Sequence, residues 1–184
     1  MAELTGKRIA VLAAKGVEQV ELVEPRKAVE AAGATTHLLS VPDGVEAGAV
    51  QAVEGDIHPS TTFPVDGLVG DVSPDDYDGL LLPGGAVNPD TLRQDDDALA
   101  FVRAFMDAGK PVAAICHAPW TLLEAGTLAG RTLTSYPSIR GDLRRGGATV
   151  VDQEVCVDGN LVTSRDPDDI PAFNEAVVRL FAGG

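Results

Sequence analysis

Apolar positions along the chain fall into two kinds of segment that alternate: short unbroken runs, and longer stretches in which they recur at helical spacing. Lys7-Arg-Ile-Ala-Val-Leu-Ala-Ala14 is a run of the first kind. It is too short for a helix and apolar on consecutive positions, as a strand covered on both faces requires. Lys15-Gly16 closes it into a loop carrying Glu18 and Glu21. A helix follows, with Pro25 expected in its first turn, where a missing N–H costs nothing, and with Ala28, Val29, Ala31 and Ala32 as its apolar face before Gly33 stops it. Residues 35–41 read as the next strand, so the chain opens as strand–helix–strand, a parallel pair with a right-handed crossover.

From Pro42 to Pro74 the pattern breaks into short alternating pieces, Gln51-Ala-Val and Thr61-Thr-Phe-Pro-Val, which predict a small β excursion. Gly79-Leu-Leu-Leu82 is a third buried strand running directly into Pro83-Gly84-Gly85. Residues 95–108 repeat apolar side chains at Leu99, Val102, Phe105 and Met106, and their acidic start and Gly109 end suit a helix dipole. Residues 112–115 form another short apolar run, which meets an abrupt turn at Cys116 and then a helical stretch over 121–125 ended by Gly126. Beyond it come a short strand at 131–134 and a short helix at 138–145. A hairpin follows about Asp158-Gly159-Asn160, then a last helix over 170–181 with Ala172, Phe173, Ala176, Val177 and Leu180 on one face. No repeat or linker divides the chain, and one domain over 1–184 is expected.

Composition supports an α/β sheet rather than a β-sandwich, because Ala, Val, Leu and Gly dominate and aromatic residues are few. The 28 acidic residues against 14 basic ones, a formal charge of −14, disfavour phosphate backbones and anionic lipid as partners. Met-Ala-Glu-Leu-Thr-Gly-Lys-Arg has no apolar core behind a basic start, and nowhere is a run long enough to span a bilayer, so a cytoplasmic protein is expected. The two cysteines lack zinc-like spacing, which argues against a disulfide framework or a metal and leaves Cys116 free as a thiol. No cofactor is implied.

The chemistry concentrates at Ala113-Ala-Ile-Cys-His-Ala-Pro119, where small residues flank a strand-to-helix turn as a nucleophile elbow needs. A cysteine there has unpaired N–H groups that favour a thiolate, although Cys is also a common buried residue. His117 is a base if a sharp turn brings its ring to the sulfur, and a surface histidine otherwise. Only His37, His58 and His117 exist, so no histidine lies downstream to complete a glutaminase-type triad. Glu18 belongs to the same predicted sheet edge. It is either a solvated loop acid or a carboxyl that donates a hydrogen bond to the sulfur. Glu21, Asp90 and Arg165 read as surface charges, and Cys156 as a structural residue of the hairpin.

The same segment resembles the ThiJ/PfpI family of the class I glutamine-amidotransferase-like superfamily, and in particular its PfpI-type intracellular peptidases and general stress proteins. Gly16-Val-Glu-Gln-Val-Glu-Leu-Val-Glu-Pro25, Leu81-Leu-Pro-Gly-Gly85, Asp152-Gln-Glu-Val155 and Leu161-Val-Thr-Ser-Arg-Asp-Pro-Asp-Asp169 look like the family's blocks in the family's order. The resemblance implies a flavodoxin-like three-layer sandwich with a mostly parallel central sheet, and a homodimer or larger oligomer. It implies Cys116 as nucleophile, Glu18 beside its sulfur, His117 as adjacent base, and the N–H groups of Gly85 and His117 as an oxyanion hole. Asp90 matches an acidic residue that reaches a neighbouring subunit's Cys-His pair. Ala118 replaces the usual Gly, and Trp120 stands where Gln is common; both narrow the site.

Three readings follow: a cysteine hydrolase acting on a small carbonyl, glycated or peptide substrate; a redox sensor whose Cys116 is oxidised without turnover; and a stress-induced chaperone-like binding protein with a vestigial site.

Overall fold

The computed structural model describes residues 3–183; Met1 and Ala2, which open the stretch read above as free of a leader, and Gly184 lie outside it. The chain begins with β1 (Arg8–Leu12), β2 (Val17–Glu18), α1 (Gln19–Ala31) and β3 (Thr35–Ser40). The excursion supplies β4 (Ala49–Glu54), β5 (His58–Pro64) and β6 (Gly67–Leu68), and β7 (Gly79–Leu82) follows. Then come α2 (Val87–Leu92), α3 (Asp96–Asp107), β8 (Val112–Ile115) and α4 (Pro119–Glu124). The last third contains β9 (Thr132–Leu133), α5 (Arg140–Arg145), β10 (Thr149–Val150), β11 (Val155–Asp158), β12 (Leu161–Ser164) and α6 (Ile170–Phe181).

Seven strands form the central sheet in the order β11-β12-β8-β7-β1-β3-β6, parallel throughout except for the β11–β12 hairpin. This is the expected mostly parallel α/β sandwich. The apolar runs of β1, β7 and β8 are buried along their whole lengths, apart from Arg8. Period-two alternation deals their side chains to opposite faces. Ile9, Val11, Leu81, Ala113 and Ile115 join one core with Leu22, Val29, Phe173 and Val177 of α1 and α6. Ala10, Leu12, Leu80, Leu82, Val112 and Ala114 join the other with Phe101, Val102 and Phe105 of α3 and Leu122 of α4. Asp95 caps α3 as its acidic start suggests, accepting from the Ala98 N–H at 2.8 Å.

The excursion is a separate three-stranded sheet in which β2 pairs parallel with β4, and β4 antiparallel with β5. It is tied to the main sheet at the carboxyl end of β1 and overhangs that edge. The strand expected over 131–134 is shorter, Thr132–Leu133, and pairs with Thr149–Val150 as a two-stranded parallel ribbon, β9 with β10, outside the main sheet.

The first helix differs from expectation. It starts at Gln19, so Pro25 is its seventh residue and stands in its interior. Proline has no N–H to return to the carbonyl four residues back, which here is that of Glu21. The earlier start converts the supposed loop around Glu21 into the first helical turn, and this decides what reaches the sulfur. Among the described residues no helix is long and apolar enough to cross a membrane.

Leu81 is wholly buried and Val157 is 57% exposed. Leu81→Ala should therefore cost about 3 kcal/mol in urea unfolding through lost transfer energy and a residual cavity, while Val157→Ala stays within about 0.5 kcal/mol.

Candidate active site

Three strand ends converge on one edge of the sheet. β1 has β3 on one side and β7 on the other, and the chain crosses in opposite directions from it, which opens a crevice at the carboxyl ends. Into it run residues 13–18 after β1, Pro83-Gly84-Gly85 after β7, and Cys116 after β8.

Cys116 has φ +64°, a left-handed conformation rare outside glycine, at the point where β8 gives way to α4. Its peptide is held on both sides: the N–H donates to the Ser164 carbonyl at 3.1 Å, and the carbonyl accepts from the Tyr136 N–H at 3.0 Å. Successive side chains point apart in an extended chain, but this turn folds them together. Cys116 Sγ lies 3.1 Å from His117 Nδ1. The other ring nitrogen, Nε2, is 3.1 Å from Ser138 Oγ, and the imidazole stacks on Tyr136 at 4.5 Å between centroids. Burial lowers the His117 pKa, partly opposed by the negative charge of Asp56, so the ring favours its neutral form. With Nε2–H donating to Ser138, Nδ1 is left as an acceptor for the thiol proton.

The carboxyl beside the sulfur belongs to Glu21, not to Glu18. Glu21 is fully buried rather than a surface charge. Its Oε2 accepts from the Gly84 N–H at 2.9 Å. Oε1 has no hydrogen-bond partner of ordinary geometry among the described residues, and the carboxyl makes a looser hydrogen-bonding contact with the Cys116 thiol. Burial pushes its pKa up to about 8, so it is protonated at neutral pH and able to donate to sulfur. Burial also pushes the Cys116 thiol up, as does the charge of Glu21 when ionised, while the Gly85 N–H directed at the sulfur works the other way. The expected free thiolate at a helix end is thus replaced by a buried thiol, 3% exposed, that needs a base to take its proton.

Glu18, itself buried, ends β2. Its carboxylate accepts from the N–H groups of Gly55 and Asp56, at 3.1 and 2.9 Å, and so anchors the tip of the β4–β5 hairpin. The three-residue offset between the two acids explains the exchange: Glu18 ends a strand of the excursion sheet, whereas Glu21 lies in the first helical turn facing the core.

The glycine turn is shaped by close approach. A side-chain carbon on Gly84 would stand 2.6 Å from Cys116 Cβ, and Gly85 takes φ +83°. Asn88, which no sequence signal marked, pins this turn: its Nδ2 donates to the carbonyls of Pro83 and Gly84, both at 2.9 Å, and its Oδ1 accepts from the Ala14 N–H. Ser138 and Tyr136 also went unmarked, since neither has a local motif. Trp120 flanks the histidine at 5.6 Å between ring centroids, with its Nε1 donating to Asp142. Arg93 lies over the indole and pairs with Asp90 at 2.7 Å. Within one chain Asp90 therefore faces Arg93 and does not meet Cys116 or His117. Arg165 is ion-paired with Asp169 and Asp152 rather than free on the surface. Cys156 is a buried, unpaired thiol on β11. Among the described residues no cluster of three or more His, Cys, Asp or Glu side chains has the geometry to hold a metal.

A profile of the DJ-1/PfpI family matches residues 7–180. General stress protein 18 of Bacillus subtilis is 46% identical over 176 residues, which cover 95% of this chain and 98% of that protein. Protein/nucleic acid deglycase 2 of Escherichia coli is 40% identical over 175 residues, covering 95% and 97%. Among solved structures, Drosophila melanogaster DJ-1beta superposes with a TM-score of 0.85 at 28% identity, covering 97% of this chain and 91% of that one. The chain belongs to the DJ-1/PfpI family.

The Glu21 carboxyl gives a stability signature. Its pKa rises on folding from 4.5 to about 8, so between these values the native state holds a proton that the unfolded state has lost. Stability should then be fully present below pH ~4.5 and fall as pH rises towards ~8, by at most about 1.4 kcal/mol per unit. Urea unfolding across this range should show the decline in the wild type, and Glu21→Gln, which cannot ionise, should flatten it.

Proposed function

We propose that this member of the DJ-1/PfpI family is a cysteine-dependent stress enzyme acting on small α-oxoaldehydes such as methylglyoxal, or on the adducts they form with amino groups. The observation that carries this reading is the 3.1 Å approach of Cys116 Sγ to the ring of a histidine kept neutral by burial. In the first step Sγ bonds to the aldehyde carbon, and the carbonyl π pair moves to oxygen, where the N–H groups of Gly85 and His117 receive it. His117 Nδ1 takes the thiol proton and passes it to that oxygen, giving a hemithioacetal. Transfer of the carbon-bound proton to the adjacent carbon, through an enediol, converts it to a thioester without net oxidation. Water then cleaves the C–S bond, releasing the hydroxy acid and restoring the thiol. The enclosure of the sulfur, with Trp120 flanking His117, favours small substrates over a polypeptide, so this reading ranks above a peptidase.

The same reading includes a homo-oligomer, in which Asp90, with a side chain 47% exposed, faces a neighbouring copy. Light scattering tests it, and a monomer at working concentration would remove that part.

A second reading draws on Glu21. A protonated carboxyl against the sulfur is placed to donate a hydrogen bond to a sulfinate oxygen, and so to favour controlled oxidation of Cys116.

Cys116→Ser should lower methylglyoxal conversion to lactate by at least about a thousandfold, and His117→Asn by about a hundredfold or more, both with unchanged unfolding midpoints. Conversion that survives in Cys116→Ser rejects Cys116 as the nucleophile and with it the cysteine-dependent mechanism. Intact mass after graded peroxide separates the second reading: preferential dioxidation at Cys116, lost in Glu21→Gln, together with no turnover, would establish the sensor instead.

A further inference from the structure

The hairpin tip that Glu18 anchors brings a charged residue to the site that has no place in the chemistry above. Gly55 and Asp56 both adopt left-handed backbone, φ +60° and +67°, so their successive N–H groups point the same way, into the Glu18 carboxylate. That capture fixes the Asp56 side chain. Its Oδ1 accepts from the Ala86 N–H at 2.9 Å, immediately after the Gly85 donor of the proposed oxyanion hole. Its Oδ2 has no partner among the described residues. Asp56 is half-buried, and its charge is felt by Cys116, Glu21 and His117 alike. Arg93, which reaches Trp120, is already paired with Asp90.

We propose that Asp56 is a specificity residue: its carboxylate, latched beside the oxyanion turn by Glu18, makes the Cys116 site accept uncharged or cationic carbonyl compounds and turn away anionic ones. The inference rests on Cys116 being the nucleophile toward such carbonyls. Its physical basis is the field of a fixed carboxylate in a partly desolvated crevice. There a substrate carboxylate meets repulsion that water screens only incompletely, whereas a neutral aldehyde meets none. A carboxylate product formed from a neutral aldehyde would be expelled by the same field. Glu18 is a positioning residue in this arrangement, holding Asp56 through the hairpin tip, and its own charge also bears on Glu21.

The test compares alkylation of Cys116 by neutral iodoacetamide and anionic iodoacetate, followed by peptide mass mapping so that Cys156 does not contribute. In Asp56→Asn the amide still accepts from Ala86 and tolerates left-handed backbone. The ratio of iodoacetamide to iodoacetate rates should fall about tenfold from its wild-type value. Raising the salt concentration should speed iodoacetate relative to iodoacetamide in the wild type, and Asp56→Asn should lose most of that dependence. A ratio and salt dependence unchanged by Asp56→Asn overturn the proposal. Inhibition of methylglyoxal turnover by glyoxylate, an anionic aldehyde, supplies a second reading, with Ki expected to drop about tenfold in Asp56→Asn. If methylglyoxal is not turned over at all, the proposed enzyme fails, while the alkylation ratio still decides the role of Asp56.

Discussion

The site depends on how closely two neighbouring strand ends approach. β7 and β8 are adjacent in the sheet, and their ends bring Gly84 so near Cys116 that a single added carbon on Gly84 would overlap the cysteine Cβ. Because nothing but hydrogen fits there, the backbone N–H of Gly84 is free to bind the Glu21 carboxyl, and that of Gly85 points at the sulfur. Asn88 holds the turn in this position by bonding two of its carbonyls and the end of β1 together. The elbow at Cys116 carries unfavourable backbone torsion of its own, which persists because Ser164 and Tyr136 restrain the peptide from both sides.

Electrostatics follows from that enclosure. A buried carboxyl and a buried thiol are each costly to ionise, so Glu21 and Cys116 both keep their protons near neutral pH. The same burial keeps His117 neutral, and a neutral imidazole is what a thiol must meet if the proton is to leave only as the sulfur attacks. A thiol held in this way stays almost wholly shielded from solvent. Aromatic packing by Tyr136 and Trp120 holds the ring in place, so the distance between sulfur and nitrogen does not depend on a mobile side chain.

The excursion sheet contributes charge rather than enclosure alone. Glu18 belongs to it through β2, and with Gly55 and Asp56 forms a small latch over the glycine turn. The acid at the end of β2 thus shapes the site from its rim, and the acid one helical turn later from its floor.

The alternation of apolar runs and helical stretches determined the parallel sheet, its flanking helices and the elbow at Cys116, because such patterns depend only on residues near one another in the chain. Small residues around 113–118 and the glycines at 84 and 85 likewise announced tight turns after their strands. Tertiary structure alone decided which of two acids three residues apart meets the sulfur. The choice rests on where β2 ends and α1 begins, and on the pairing of β2 with β4, a contact across more than thirty residues that leaves no local trace. Pro25 concealed that boundary by resembling a first-turn proline. Asn88, Tyr136, Ser138 and Asp56 remained illegible for the same reason: each acts through a partner distant in sequence, and ordinary residue types acquire such roles only when the fold brings them together.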